Sequence, residues 1–375
     1  MTHFTDVTLP LDRELTASEG VISRQRPDWW AAGLALLSVR FIQGLIYWGG
    51  GSRRFIYAPS KLDAWGGHNW MANKFQTAMP GALFGTDHII SYMLTHFWLL
   101  YAGVILFSAA ELIVGLMLMT GFLTRFAALA SMGFSVMLMA MFGWQGATCI
   151  DEWTMAAANL AMGATLLLAG GGAYSIDNVL LRRIPALADR SWFRWAGGSL
   201  PLPQGDRNFR NLAFALFAFV VLFDVGTYNY YRGSVFTPFH GGPVSPTKHH
   251  FTIDSLSITP DGAVRFHIYL DGGTPEAPAH IMKAVLLGPD RQVIESWDTK
   301  ELTGLPKDAI QNDYAYNKFE AGPYGLVAAM GAKATITLPS LTKPGVIPAR
   351  AILELSDVNG RSFTATAGAD LVQRP

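Results

Sequence analysis

Long apolar stretches alternate with short polar ones over the first 230 residues or so of the chain. The hydrocarbon core of a bilayer is about 30 Å thick and a helix rises about 1.5 Å per residue, so about 20 apolar residues suffice to cross it. The pattern predicts about five transmembrane helices: Trp29 to Trp48, Phe97 to Thr120, Thr124 to Phe142, Trp153 to Leu168 and Leu212 to Tyr228. The GFLTR turn, Gly121 to Arg125, is short enough to make the second and third helices an antiparallel hairpin.

After Tyr231 the pattern changes to short, partly alternating apolar runs that are typical of β-strands. The runs are HHFTIDSLSIT, AVRFHIYL, HIMKAVLLG, RQVIESWD, AKATITL and ARAILELSD, separated by turn residues such as Pro260-Asp261-Gly262 and Asn359-Gly360. Because no helical pattern lies between these evenly spaced runs, they predict a β-sandwich rather than a parallel α/β sheet. A long insertion, roughly Lys300 to Pro323, interrupts the spacing. We expect it to face the membrane domain or the substrate, or else to cover a sheet edge.

The two patterns together predict an α-helical membrane bundle followed by an all-β sandwich-like domain. We divide the chain into a cytoplasmic tail (1–27), a four-helix transmembrane domain (28–182), a basic cytoplasmic linker (183–210), a fifth transmembrane helix (211–231) and an extracytoplasmic β domain (232–375). Arginines are concentrated in the tail, in the turn between the second and third helices, and in the linker. Since basic loops stay in the cytoplasm, we expect a multi-pass inner-membrane protein with a cytoplasmic N-terminus and a periplasmic β domain. The polar N-terminal segment lacks the pattern of a cleaved signal.

Composition narrows the classes of function. Lys and Arg number 28 and Asp and Glu also 28, so no net positive field recruits nucleic acid, whereas the 50% of hydrophobic residues fits a lipid bilayer as partner. Cys149 is the only cysteine, which excludes an internal disulfide, an iron–sulfur cluster, a Cys-rich zinc site and a covalent haem. Gly170 to Gly172 follow a helix, so they predict a helix end rather than a Rossmann-type nucleotide site. We therefore predict no metal site and no cofactor carried by the chain itself.

Arg40 lies near the middle of the first predicted membrane helix, where a charge is costly unless it is paired or faces a polar cavity. Gln43 and Tyr47 share its helix face, and Glu111, near the centre of the second helix, is its candidate partner. A protonatable carboxyl beside such a polar stripe suits proton delivery to a lipid-soluble molecule that becomes reduced. Hydrogen bonding between helices, with no other function, is an equally good interpretation.

Cys149 lies at the end of the third-to-fourth helical hairpin, and Asp151 and Glu152 follow it directly. Its reactivity depends on the fraction of thiolate, which the two carboxylates lower by raising the pKa. A nearby arginine and the helix N-terminus that follows have the opposite effect. Two interpretations stay open: a reactive thiol, or an ordinary thiol beside carboxylates that cap a helix.

Four basic residues lie where the orientation rule disfavours them, on the predicted extracytoplasmic side. They are Arg53, Arg54, Lys61 and Lys74. Residues in such positions are candidates for binding an anionic ligand, and the guanidinium groups offer paired donors to an oxyanion. The alternative is that they are ordinary solvated loop charges.

Four stretches carry a resemblance to a known enzyme. GGGSRRFIYAPSKLD, THFWLLYAGVILFSAAELIVGLMLMTGFLTR and GWQGATCIDEWTMAAANLAMGATLLLAGGGAYSIDNVL resemble DoxD, a DoxX-like membrane family that forms the small subunit of thiosulfate:quinone oxidoreductase. YNKFEAGPYGLVAAMGAKATITLP, with the strands around it, resembles the companion subunit DoxA. Together they cover most of the chain from Asp28 onward. Their order implies a natural fusion of the two subunits.

The resemblance implies oxidation of two thiosulfate anions to tetrathionate, with membrane quinone as electron acceptor. We accordingly assign three sets of residues, and we leave open whether the protein is a homo-oligomer. The predicted catalytic residues are Cys149, Asp151, Glu152 and Glu111; the substrate-binding residues are Arg53, Arg54 and Lys61; the quinone-binding residues are Arg40, Gln43 and Tyr47.

The lone thiol suggests a mechanism in which the Cys149 thiolate adds to quinone, thiosulfate attacks that sulfur as quinol leaves, and a second thiosulfate releases tetrathionate. Direct electron transfer from thiosulfate to quinone is the other route. Two non-enzymatic functions are alternatives: a carrier of sulfur oxyanions, or a non-catalytic membrane anchor for a redox complex. Inverted repeats and paired broken helices would indicate a carrier, and the sequence shows no clear example of either.

Overall fold

The computed structural model describes residues 31–65, 67–145, 151–239, 248–341 and 350–367. Its helices are α1 Leu37–Ser52, α2 Met71–Ala78, α3 Thr86–Thr95, α4 Phe97–Thr120, α5 Thr124–Phe142, α6 Asp151–Ala169, α7 Ile176–Arg183, α8 Ser191–Ala196, α9 Asp206–Arg232 and α10 Thr299–Thr303. Its strands are β1 His250–Ile258, β2 Val264–Gly272, β3 Ala279–Leu287, β4 Val293–Trp297, β5 Ile310–Asn312, β6 Phe319–Gly322, β7 Gly325–Ala328, β8 Lys333–Leu338, β9 Ala351–Asp357 and β10 Ser362–Ala367. A helical region followed by an all-β region is therefore confirmed.

Three helices among the described residues are long and apolar enough to cross a membrane, namely α4, α5 and α9. Side chains on α9 remain exposed, with Phe214 at 65% and Leu222 at 73%, as expected of a surface that faces lipid. The other two predicted spans are also helical in the residues that the structure describes. α1 has 16 residues, because a turn at Leu36 separates it from the helical residues 31–35, and α6 begins with two carboxylates.

The short turn between the second and third predicted spans is confirmed, since α4 ends at Thr120 and α5 begins at Thr124. Gly121 has a φ of +69°, a left-handed conformation that glycine adopts without strain. A Cβ added there would lie 2.5 Å from Cβ of Ser175, so the close approach of the chain also requires glycine.

The β region consists of two antiparallel sheets, as predicted for a sandwich. One sheet has the order β1-β2-β8-β5, and the other has the order β10-β9-β3-β7-β6, with β4 paired to β3. Alternate residues of β2 are buried, including Phe266 and Ile268, and they face Ile336 and Ala334 in the register of β8. The predicted turns are confirmed by Gly262 and Gly360, whose φ values are +88° and +76°.

The insertion at residues 300–323 is more ordered than a plain loop. It holds most of α10 and the short strands β5 and β6. The side chains of Asp298 and Glu301 form a capping box at the start of α10, which explains how five residues sustain a helix. β10 was not among the predicted strands because its sequence, SFTATA, has few large apolar residues.

The chain folds into two compact units. Unit one comprises residues 1–49, 112–132 and 161–216, and unit two comprises residues 50–111, 133–160 and 217–375, each in its described part. In unit two, a hydrophobic core joins the inner faces of both sheets and includes Trp144 and Tyr231. A second core forms around Trp70, Ile90 and Phe142. The boundaries of the five predicted segments stay predictions.

Candidate functional site

Arg54 and Glu111 form an ion pair in unit two, with 17% and 13% of their side chains exposed. Arg54 lies in a π-helical turn, Arg53–Tyr57, that follows α1, and Glu111 lies in α4. Arg54 also donates to the hydroxyl of Ser108 at 3.4 Å. The predicted pair of Glu111 with Arg40 is therefore wrong: the prediction matched depths along regular helices, whereas the π turn directs a second arginine to the carboxylate.

Lys61 ends a short 3₁₀ turn and lies near three other basic side chains. Burial lowers the pKa of Lys61 from its ordinary value, and the charges of Arg53, Lys74 and Arg54 lower it further. The structure thus brings together the three predicted substrate-binding residues, with Lys74 beside them. We call Arg53, Arg54, Lys61 and Lys74 the basic cluster. Because the four positive charges of the basic cluster repel one another, binding of an anion among them is favourable.

Lys74, in α2, forms a second ion pair with Glu152 at the start of α6, with an N–O distance of 3.0 Å. This pair is more accessible than the first, since 46% of the lysine and 27% of the glutamate side chain are exposed. Nζ of Lys74 also lies 5.4 Å from the centre of the Phe142 ring, which favours a cation at this position. Glu152 therefore neutralises Lys74, and its catalytic role stays a prediction.

A cavity of about 380 Å³ lies beside the pair of Lys74 and Glu152. One side is formed by α2, Gln145 and Glu152, and the other by residues of the β domain that include Asn317 and Met330. Gln145 is 5% exposed, and its Nε2 has no hydrogen-bond partner among the described residues. Since a buried amide donor without an acceptor is costly, Gln145 is a candidate ligand-binding group.

Gln76 and Asn317 tie the helical and β sides of this cavity together. Gln76 is fully buried and donates to the carbonyl oxygens of Asn317 at 2.8 Å and Gly331 at 2.9 Å. In return, Oε1 of Gln76 accepts from the Asn317 main-chain N–H at 2.9 Å. The Asn317 side-chain amide donates to the Thr77 hydroxyl at 2.9 Å and the Met330 carbonyl at 2.7 Å. These bonds fix the β wall of the cavity onto α2.

Sequence analysis missed Gln76, Gln145 and Asn317. Asn317 belongs to the insertion at residues 300–323, and its bonds to α2 confirm the expectation that this insertion faces the helical part of the chain. Tyr314 in the same stretch shares a hydrogen bond of 2.7 Å with the Ser91 hydroxyl. The two glutamines lie in polar segments between apolar helices, and no pattern in the sequence marks them.

The predicted quinone-binding residues, Arg40, Gln43 and Tyr47, are all buried in unit one. Arg40 donates to two main-chain carbonyls after α6, one of them that of Tyr174 at 2.7 Å. The Gln43 amide lies 3.2 Å from Oγ of Ser131, and the Tyr47 hydroxyl donates to the Ser131 carbonyl at 2.9 Å. These bonds favour the alternative of polar contacts between helices. Quinone binding by these residues stays a prediction.

Asp177 and Arg125 are further buried charges of unit one that sequence analysis did not single out. The Asp177 carboxylate accepts from three main-chain N–H groups at 2.7 to 3.1 Å and from the Thr124 hydroxyl at 3.0 Å, which caps the start of α5. Arg125 donates to four main-chain carbonyls at 2.7 to 3.1 Å. Both side chains hold loops against helix ends and have a structural role.

Cys149 lies outside the described residues, and the structure describes Asp151 only as the first residue of α6. In the sequence, Cys149 stands between Gln145 and Glu152, which both line the cavity. The predicted catalytic roles of Cys149, Asp151 and Glu111 stay predictions.

Two protein-family models match the chain. Residues 35–202 match the family described as TQO small subunit DoxD, and residues 231–366 match the family described as TQO small subunit DoxA. TQO denotes thiosulfate:quinone oxidoreductase. The helical side of the cavity lies in the first match and the β side in the second.

Proposed function

The chain belongs to the DoxD and DoxA small-subunit families of thiosulfate:quinone oxidoreductase, joined in one polypeptide, and we propose that it oxidises thiosulfate to tetrathionate with membrane quinone as electron acceptor. In the balanced reaction, two thiosulfate anions form one sulfur–sulfur bond and release two electrons. Quinone takes these electrons with two protons and becomes quinol. The protein must therefore hold a small dianion and supply protons to an apolar acceptor.

The basic cluster is the observation that carries this proposal. Four cationic side chains, Arg53, Arg54, Lys61 and Lys74, interact electrostatically, and one of them, Lys74, lines the cavity. Two of them have carboxylate partners, Glu111 and Glu152, so the cluster keeps a net positive charge toward a dianion. Guanidinium groups bind the oxygens of such anions through paired N–H donors.

Arg54 links the anion to the proton in this proposal. Its guanidinium pairs with Glu111, and a thiosulfate that binds Arg54 competes with that carboxylate. Once Arg54 turns to the anion, Glu111 loses its counter-ion and gains affinity for a proton, which it then donates to reduced quinone. Arg40, Gln43 and Tyr47 are the residues that we assign to quinone contact.

For the sulfur chemistry we propose the route through Cys149. Its thiolate and one proton add to quinone; thiosulfate and a second proton then cleave this adduct into quinol and a Cys149–thiosulfate disulfide. A second thiosulfate attacks this disulfide, releases tetrathionate and restores the thiolate. Asp151 and Glu152, which follow in the sequence, are assigned to proton transfer.

We further propose that the protein lies in the inner membrane, with a cytoplasmic N-terminus and a periplasmic β domain. The apolar helices α4, α5 and α9 support a membrane location. Arginines in the linker before α9 support the orientation, because basic loops stay in the cytoplasm.

The test follows quinone absorbance with detergent-purified protein after thiosulfate is added, together with an assay for tetrathionate. We expect quinone reduction and tetrathionate in wild type, and loss of both in Cys149→Ser. If Cys149→Ser still reduces quinone, the protein is an enzyme but the route through the Cys149 thiol is rejected. If folded wild type reduces none of several quinones, the protein is a carrier or an anchor, since neither changes redox state.

A further inference from the structure

We propose that the cavity beside α2 binds a small sulfur oxyanion, with Gln145 and Lys74 as donors, and that the β domain serves as its second wall. This inference rests on the proposed function for the identity of the anion. It assigns to the DoxA-matching region a direct part in forming the substrate site, rather than a role as a separate soluble module.

Size and composition suit such a ligand. The cavity has a volume of about 380 Å³, within the range of about 300 to 1,000 Å³ typical of small-molecule sites. That volume accommodates the elongated tetrathionate product as well as thiosulfate. Its lining contains the ammonium donor of Lys74, whereas the Asn73 amide and the Thr77 hydroxyl, which also line it, already donate to main-chain carbonyls.

Gln145 is the group that most clearly needs a ligand. It is 5% exposed, it lines the cavity, and its Nε2 has no hydrogen-bond partner among the described residues. The amide has two N–H donors, and each sulfonate of a sulfur oxyanion offers three oxygen acceptors. An oxyanion at this position converts a costly buried donor into a charge-assisted hydrogen bond.

The cationic part of the cavity lining is Lys74, and the anion site that we propose lies there and at Gln145. Two carboxylates also line the cavity: Glu152 forms an ion pair with Lys74, and Glu276 accepts a hydrogen bond from the uncharged Thr274 hydroxyl. Lys74 belongs to the basic cluster, since its charge acts on Lys61, and it therefore brings the positive charge of that cluster to the cavity. An anion that enters the cavity competes with Glu152 for Lys74, which is only half-buried.

Asn317 is the positioning residue of the β wall. Its main chain and side chain bond to Gln76 and Thr77 on one side and to Met330 on the other. Met330 and Asn317 both line the cavity, so these bonds set the distance between its two walls. Without them, the β residues no longer face Gln145 and Lys74 at a fixed separation.

The experiment measures equilibrium binding of thiosulfate and of tetrathionate to the full-length purified protein by calorimetry, with no quinone present. Gln145→Glu keeps the size of the side chain and replaces the donor by a carboxylate, and we expect a dissociation constant at least about tenfold higher. Asn317→Ala, and Asn317→Ser as a milder change that keeps a hydroxyl donor, are expected to weaken binding to a similar extent. A matched control is Thr303→Val, which removes hydrogen bonds to Gly322 and Gly325 in the β domain, away from the cavity.

Binding that is weakened by the Gln145 and Asn317 variants and retained in Thr303→Val supports the site. The proposal is overturned if folded wild type binds neither anion, or if Gln145→Glu and Asn317→Ser bind as wild type does. Failure of the proposed function is a separate result. If anion binding depends on Gln145 but the protein does not reduce quinone, the site is supported and the enzymatic function is rejected. If Gln145→Glu reduces quinone with unchanged kcat and KM for thiosulfate, the site is rejected and the enzymatic function is supported.

Discussion

Buried charges in unit one bond mainly to the main chain, whereas unit two also contains an ion pair between two largely buried side chains. Asp177 accepts from three main-chain N–H groups, and Arg125 donates to four main-chain carbonyls. Arg54 and Glu111 instead form a side-chain ion pair. A charge bonded to the main chain cannot change partners unless the backbone moves, but an ion pair can exchange one partner for a ligand. We therefore expect the ion pair, rather than the charges bonded to the main chain, to exchange a partner for a ligand.

The largest expected effect tests the structural half of this comparison. Asp177→Ala leaves three main-chain donors and the Thr124 hydroxyl without their acceptor, so we expect the free energy of unfolding to fall by about 3 kcal/mol or more. Thermal unfolding in detergent measures this, with Asp177→Asn as a milder variant that keeps one acceptor oxygen. Wild-type stability with loss of quinone reduction would give Asp177 a role in the reaction and break the comparison.

The second prediction tests the functional half. Glu111→Gln keeps a hydrogen-bond acceptor for Arg54 but removes the proton donor, so we expect quinone reduction to fall by about 100-fold, while the protein stays folded. Steady-state kinetics measure the rate, and Glu320→Gln on β6 is the control, since that side chain is exposed. Unchanged turnover in Glu111→Gln would make the buried pair structural as well.

A smaller effect is expected for Tyr47→Phe in unit one. The change removes one hydrogen bond to the Ser131 carbonyl, so we expect a loss of about 1 kcal/mol in unfolding free energy and no change in KM for quinone. Unfolding and quinone kinetics on the same preparation distinguish the two roles. A raised KM at unchanged stability would support the prediction that Tyr47 contacts quinone.

The smallest effect concerns a paired charge in the β domain. His267 lies 2.8 Å from Asp254 and 3.0 Å from Asp313. The hydrogen bond with Asp313 raises the pKa of His267 above its ordinary value of 6.5 against the opposing effect of burial, and Asp254 raises it further. Because the pKa is raised, protonated His267 stabilises the folded state fully below its ordinary pKa of 6.5. This stabilisation is lost as the pH rises through the folded-state pKa.

We therefore expect the unfolding midpoint of the wild type to decrease as the pH rises from 6.5 through the folded-state pKa of His267, and His267→Gln to remove part of that decrease. Unfolding curves across this pH range, recorded in matched buffers, test the expectation. Identical pH dependence in both proteins would show that folding does not shift the pKa of His267.

Hydrophobic periodicity predicted the helical and β regions well, because period and length follow directly from the geometry of helices and strands. It also found Arg54 and Glu111, since charges in or near apolar helices are conspicuous. It assigned Glu111 the wrong partner, because a π turn after α1 changes which arginine reaches α4. Gln145 and Gln76 carry no such contrast with their neighbours in the sequence.

The sequence by itself determined the order of apolar helices and alternating strands, the resemblance to two subunit families, and the basic residues of one polar segment. These features depend on residue type and local spacing, which the chain order contains. Only the tertiary structure decided that Arg54 pairs with Glu111 and that Asn317 bonds the β domain to α2. It also decided that Nε2 of Gln145 is buried with no hydrogen-bond partner among the described residues. Such contacts join residues from 57 to 241 positions apart, and their geometry depends on how the elements pack rather than on any local pattern.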